Sequence, residues 1–393
     1  MPLKVKKIEA LDSVRGIAAC IVVLGHFADV FFPSILIGSP QTVRTHFDLP
    51  IYQSPLSVFF ASGFAVIMFF ILSGFVLTLK YFSHHQSSLF PAALKRYVRL
   101  MPIVFVSILL GYGLMSFGLM FFAEVNKHAH LGVLVYPFAF EPNLLQAISQ
   151  GLVGVFTSEA NAATSYNPVL WTIYYELLGA FIIFGLATLS RDQPKRWLLY
   201  GAAIMAFANT FFCAFIVGLV LADLYASRPG FYQKIQNLAS GYKFFLLILA
   251  LSIAAYQPPA IGTATGPLWN ALTLVNSDTT FSRRILQLTA GLILILLALG
   301  WTNFSRVLRI KPLRWLGKVS YALYAVHFII IYSLTCGLFL LFNQHFGYTI
   351  SALMAMGASL PIIFGLSHLL HIYVELPSIA AAGKVGRWSS KQL

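Results

Sequence analysis

Apolar residues fill this chain in long blocks separated by short basic stretches. A helix needs about 20 apolar residues to cross the hydrocarbon core of a bilayer. Ten blocks approach that length: Ile17–Phe32, Ser57–Leu79, Met101–Ala123, Leu170–Leu189, Trp197–Asn209, Thr210–Ala226, Phe244–Tyr256, Ile285–Thr302, Val319–Phe342 and Tyr348–Tyr373. The fifth and sixth form one run, broken only by Asn209 and Thr210. Basic residues gather on the cytoplasmic side of membrane proteins, and this separates them. With ten spans, every Lys and Arg except Arg44, Lys127, Arg283 and Arg284 falls on one side. Merging the two blocks divides the basic residues evenly between the sides. The expectation is an all-α polytopic membrane protein with about ten transmembrane helices and both termini cytoplasmic. Residues 1–393 then make one domain, spanning the membrane from about residue 13 to 376, with no fused soluble domain.

Composition supports this reading. Of 393 residues, 59% are hydrophobic and 10% charged, against about half and about a quarter in soluble domains. Disorder is excluded for the same reason. The net charge of +14 reads as inner-loop bias; no aromatic-interleaved basic stripe points to nucleic acid. The opening MPLKVKKIEALDSVRG and the apolar run after it mimic a secretory signal. That run is too long for one and lacks a cleavage site, so it reads as an uncleaved first helix. The three cysteines, Cys20, Cys213 and Cys336, lie in apolar blocks and read as small buried hydrophobes. Two outer loops are long, Pro33–Leu56 and Glu124–Val169; the second holds an apolar stretch, Leu144–Phe156, suited to the interface or to folding back into it.

Ionisable groups inside hydrocarbon cost at least about 2.5–3.5 kcal/mol and mark candidate functional positions. Here they are Arg15, His26, Asp29, Glu176, Asp223, His327, His368, His371 and Glu375. Arg15 and His26 are eleven residues apart, about 20° from three full turns, so they share a helix face about 16 Å apart along the axis. Glu176, in Trp171-Thr-Ile-Tyr-Tyr-Glu176, enters from the outer side to a depth matching that of His26. A His–Glu pair is expected to serve as a general base, or else as a polar tie between helices. Ser320, Tyr324 and His327 fall near one face, with Tyr321 beside them, and either line a cavity or bond neighbouring helices. Arg96 and Arg99, in an inner loop, make a compact phosphate clamp or contribute to topology alone. Ser73-Gly74 permits close helix approach. His368 and His371 lack a third ligand, so no metal is expected. Asp223 and Glu375 read as structural.

These segments together resemble one family. IEALDSVRGIAACIVVLGHF, with Arg15 and His26, resembles the first helix of the acyltransferase family 3 membrane O-acyltransferases. FFILSGFVL, Arg96-x-x-Arg99 with Leu100-Met101-Pro102, WTIYYELLGAF, LGKVSYALYAVHF and YVELP are similar to its later motifs, in family order from residue 8 to 377. Ile173 and Val326 stand where the family more often has Leu. The resemblance implies transfer of an acyl group, usually acetyl, from cytoplasmic acyl-CoA to a hydroxyl of a carbohydrate or other envelope acceptor. It implies His26 as base, oriented by Glu176, and Arg15, Arg96 and Arg99 holding coenzyme A phosphates. Ser73, Gly74, Trp171, Tyr174, Tyr175, Ser320, Tyr321, Tyr324 and His327 are the expected substrate or pore lining. Acyl-CoA is expected as co-substrate without a tightly bound cofactor, in a plasma membrane of bacterial inner-membrane type. Without a fused extracytoplasmic domain, the chain is expected to act alone or with a separate extracytoplasmic transferase. The competing class is a proton-coupled secondary transporter built on His26 and Glu176.

Overall fold

The computed structural model describes residues 8–84, 90–129, 137–161, 163–191, 193–256 and 279–389. The basic residues Lys4, Lys6, Lys7 and Lys391 lie outside them. Backbone polar groups in hydrocarbon must be satisfied within a helix or a closed barrel. The described residues are helical with no strand. Ten principal helices follow in order: α1 Glu9–Phe31, α2 Ser62–His84, α3 Phe90–Ser116, α4 Trp171–Ser190, α5 Arg196–Phe207, α6 Phe212–Ser227, α7 Ser240–Ala254, α8 Thr279–Gly300, α9 Lys311–Phe342 and α10 Tyr348–Gly386. Each expected block overlaps one of them. Seven are long and apolar enough to cross a membrane, or eight if α6 and the short helix bent away from it count as one span. Helices α5 and α7 are shorter apolar helices. This is an all-α membrane fold.

Local chemistry sets the boundaries. Pro33 follows the end of α1, and a residue before proline is biased away from helix. The Asn209-Thr210 break is present: α5 ends at Phe207 and α6 begins at Phe212. In its C-terminal half, Asp223 on α6 takes Arg196 at 2.7 Å and the Tyr200 hydroxyl at 3.1 Å, which ties α5 to α6. Large apolar side chains such as Phe181, Leu198, Met205, Phe245 and Leu353 point outward, as expected where the solvent is lipid.

Glycines bring two helix pairs close. A Cβ on Gly317 of α9 would run into the Asp12 carbonyl of α1, and one on Gly16 would meet the backbone at Leu316 and Gly317. Gly74 of α2 and Gly218 of α6 meet backbone in the same way, at Phe215 and Ile71. Small residues at such crossings let backbones approach and gain van der Waals contact.

One expectation changes, and one of two stated alternatives is taken. Helix α3 begins at Phe90, so Arg96 and Arg99 stand on a helix rather than in an inner loop. The stretch Leu144–Thr157 folds back beside α3: the Tyr97 hydroxyl donates to the Leu152 carbonyl at 2.7 Å, and Phe156 packs on Tyr97. Leu145 and Val153 remain exposed on its outer side.

Candidate functional site

Helices α1, α2, α3, α4, α9 and α10 enclose a cavity of about 570 Å³. That is ample for a small ligand, since such sites run about 300–1,000 Å³. One end is charged, with Asp12, Arg15, Arg99, Lys318, His371 and Glu375. The other is apolar, with Val66, Phe69, Phe70 and Ile173.

Each acid at the charged end has a basic partner. Asp12 lies 3.7 Å from Arg15, one turn along α1. Glu375 lies 2.7 Å from His371 Nδ1, across a π-helical turn in α10. Midway, Glu176 Oε1 accepts from Arg96 Nη2 and from the Ser73 hydroxyl at 2.5 Å. Its second oxygen, Oε2, is buried without a donor. Arg99 and Lys318 line the cavity outside the ion pairs of the described residues, with Glu375 acting on Arg99 from a distance. The arrangement leaves net positive charge at one mouth and pairs Glu176 with Arg96 deeper, where an unpaired charge costs most.

Tyr324 closes the apolar end. Its hydroxyl donates to the Val169 carbonyl at 2.7 Å, so the 2.8 Å contact with Thr172 is a bond donated by the threonine. Its ring lies 5.9 Å from that of His327, which lies 5.2 Å from that of His26. His327 is fully buried. Its Nδ1 is 3.0 Å from the Leu323 carbonyl, which can only accept, so Nδ1 carries the proton. Nε2 is then a free lone pair, and no donor meets it. His26 is half-buried, with the Phe328 ring edge-on at 5.0 Å.

The structure brings the expected residues together in a different grouping. Glu176 bonds Arg96 and Ser73, while His26 packs against His327 and Phe328. Matched depth did not make them partners, because depth says nothing about the direction a side chain takes around its helix. Arg96 is thereby engaged by a carboxylate; at the mouth Arg15 is paired more loosely with Asp12, and Arg99 and Lys318 are the surplus cations. Of the expected lining, Ser73, Ser320, Tyr321 and Tyr324 face the cavity. Gly74 is turned onto Phe215 of α6. Trp171, Tyr174 and Tyr175 form an aromatic cluster with Phe70 and Phe211, and the Tyr175 hydroxyl reaches Glu159 at 3.2 Å. His327 lies past the roof. Sequence reasoning missed Asp12 and Lys318, although each sits three residues from a residue already singled out, Arg15 and Tyr321. It set His371 aside for want of a third metal ligand and read Glu375 as structural, and so missed that the two pair with each other at the cavity.

Fold and site together define an all-α integral membrane protein with a ligand-sized, partly cationic cavity next to a pair of histidines whose rings meet at a tilt. Residues 8–368 match the model of acyltransferase family 3, described as an acyltransferase domain, and the chain belongs to that family. It is an acyltransferase. The chain is similar to acyltransferase R4 of Phoma sp. (strain ATCC 20986 / MF5453), with 25% identity over 84% of each chain. It is also similar to acyltransferase clz18 of Cochliobolus lunatus, with 23% identity over 84% of each. No solved structure matches it.

Proposed function

We propose that the protein is a plasma-membrane O-acyltransferase with ten spans and both termini in the cytoplasm. It moves an acyl group, acetyl by preference, from cytoplasmic acyl-CoA to a hydroxyl of a carbohydrate or other envelope acceptor. The observation that carries this reading is the cavity: cationic at one mouth, apolar within, and roofed by the tyrosine that touches the histidine pair.

Arg15, Arg99 and Lys318 hold the donor's phosphates at the inner mouth, where guanidinium and ammonium groups suit phosphate oxygens. The pantetheine arm runs along the cavity past Glu176, whose free Oε2 accepts an amide N–H of the arm. Arg96 and Ser73 keep that carboxylate in place. The thioester passes Tyr324, whose ring swings aside, and comes up to His26. The acceptor enters from the outer side, with its hydroxyl on His26. As the hydroxyl oxygen attacks the thioester carbonyl carbon, His26 takes its proton. The C–S bond then breaks, the ester leaves outward, and the thiolate recovers the proton as free coenzyme A. His327 holds the His26 ring from below. Transfer is direct, through a ternary complex, and needs no resident cofactor; the protein works alone or hands the ester to a separate extracytoplasmic transferase.

The test is release of free coenzyme A from acetyl-CoA by purified protein in nanodiscs, with a crude envelope-glycan acceptor mixture. Wild type should release it and His26→Ala should not. Equal release by the two proteins would remove His26 from the mechanism.

A further inference from the structure

Beyond His26, the outer end of α1 carries a carboxylate that the chemistry above does not use. Asp29 lies three residues after His26, one turn on and about 4.5 Å further out along the axis. Its side chain is exposed, and its Oδ2 accepts from the Tyr332 hydroxyl at 3.3 Å. No Lys or Arg pairs with it among the described residues. A carboxylate has about four lone-pair sites, so most of its accepting capacity is open.

Its one partner is placed with care. Tyr332 sits in a π-helical turn, Ile331–Thr335, within α9. The Tyr332 carbonyl takes the backbone N–H of Phe121 at 3.1 Å. π turns inside helices occur frequently at functional sites. The Tyr332 ring stacks on Phe328 at 4.1 Å, and Phe328 meets His26. The Phe138 ring packs nearby, about 6 Å from both Phe328 and Tyr332. Phe138 is the only non-glycine residue of the described chain in the left-handed region, at φ 66°. That conformation is disfavoured for a residue with a Cβ and tends to persist at binding sites.

Two acceptors of hydrogen bonds, one imidazole and one carboxylate, thus stand a turn apart beside an aromatic wall. With hydrogen bonds of about 2.8 Å at each end, that spacing is in reach of two hydroxyls on neighbouring carbons of one ring. We propose that Asp29, held by Tyr332, binds a second hydroxyl of the acceptor, so the enzyme selects polyhydroxylated rings over single alcohols. Asp29 touches the acceptor; Tyr332 is a positioning residue. This rests on the acyl-transfer reading with His26 as base.

The probes are cis-1,2-cyclohexanediol and cyclohexanol, which differ by one hydroxyl, offered with acetyl-CoA to full-length protein in nanodiscs. Acetyl ester is measured directly. Wild type should favour the diol by about tenfold or more in kcat/KM, the size of a charge-assisted hydrogen bond. Asp29→Ala should bring the ratio close to one. Tyr332→Phe, which keeps the ring and its packing, should lower it by about threefold, mostly through KM for the diol. A wild type that acetylates both rings equally, or neither, overturns the proposal, as does an Asp29→Ala or Tyr332→Phe protein that keeps the wild-type ratio. Equal use of both rings by wild type with a dead His26→Ala would fail this proposal alone. An active His26→Ala would fail the reading beneath it.

Discussion

The two ends of the site solve the problem of polar groups in hydrocarbon in opposite ways. In the cavity each acid is matched: Asp12 with Arg15, Glu176 with Arg96, and Glu375 with His371. Surplus positive charge is kept at the mouth, on Arg99 and Lys318. Around His26 no ion pair with Lys or Arg forms among the described residues, and the polar atoms are set among rings: His327 against His26, Phe328 edge-on, and Tyr332 stacked on Phe328. A charged end suits an anionic donor that must be held. An aromatic end with free acceptors suits a neutral hydroxyl that must be oriented and deprotonated. Tyr324 is the one residue that belongs to both.

If this division of labour is right, the largest effect belongs to His26. His26→Ala should lower kcat by about 10²–10⁴-fold, the usual contribution of a general base, measured as coenzyme A release. Next comes the buried pair. Glu176→Ala strands the Arg96 guanidinium, and breaking one side of a buried ion pair costs about 3–5 kcal/mol. Thermal unfolding in detergent should show this, and a double Arg96→Ala/Glu176→Ala protein should lose less than the two single losses combined. Gly317→Ala should cost about 1–3 kcal/mol by forcing α1 from α9. Because the same two helices carry His26 and His327, activity should fall with it. Tyr200→Phe, far from both ends, removes bonds to Ser190 and Asp223. It should cost about 1 kcal/mol in the same unfolding measurement and leave acetyl-CoA affinity unchanged.

The sequence made the membrane helices legible because hydrocarbon leaves few options: long apolar blocks become helices. The polar pair Asn209-Thr210 also marked the break between Phe207 and Phe212. Charge bias misled at α3, where Lys95, Arg96 and Arg99 read as a loop but form part of a helix. Charged residues do not end a helix when they face a polar cavity and find carboxylates there. The residues of the site were legible one by one through their motifs, yet their partners were not. Glu176 pairs with Arg96, which sequence reasoning had placed at the far side of the membrane. Spacing along one helix fixes which residues share a face, as it does for Arg15 and His26. It does not fix which face of the next helix they meet. The π turns at Tyr332 and His371 were invisible for a related reason: the extra residue is accommodated by packing, not encoded by residue type.

The central claim is that one end holds the donor and the other performs the chemistry. Titrating acetyl-CoA into wild type, His26→Ala and Arg99→Ala in nanodiscs by calorimetry tests it most directly. The account predicts that His26→Ala binds acetyl-CoA as wild type does, while Arg99→Ala binds it about tenfold or more weakly, the size of a charge-assisted contact. Loss of binding in His26→Ala with full binding in Arg99→Ala would contradict the division and put the donor at the wrong end.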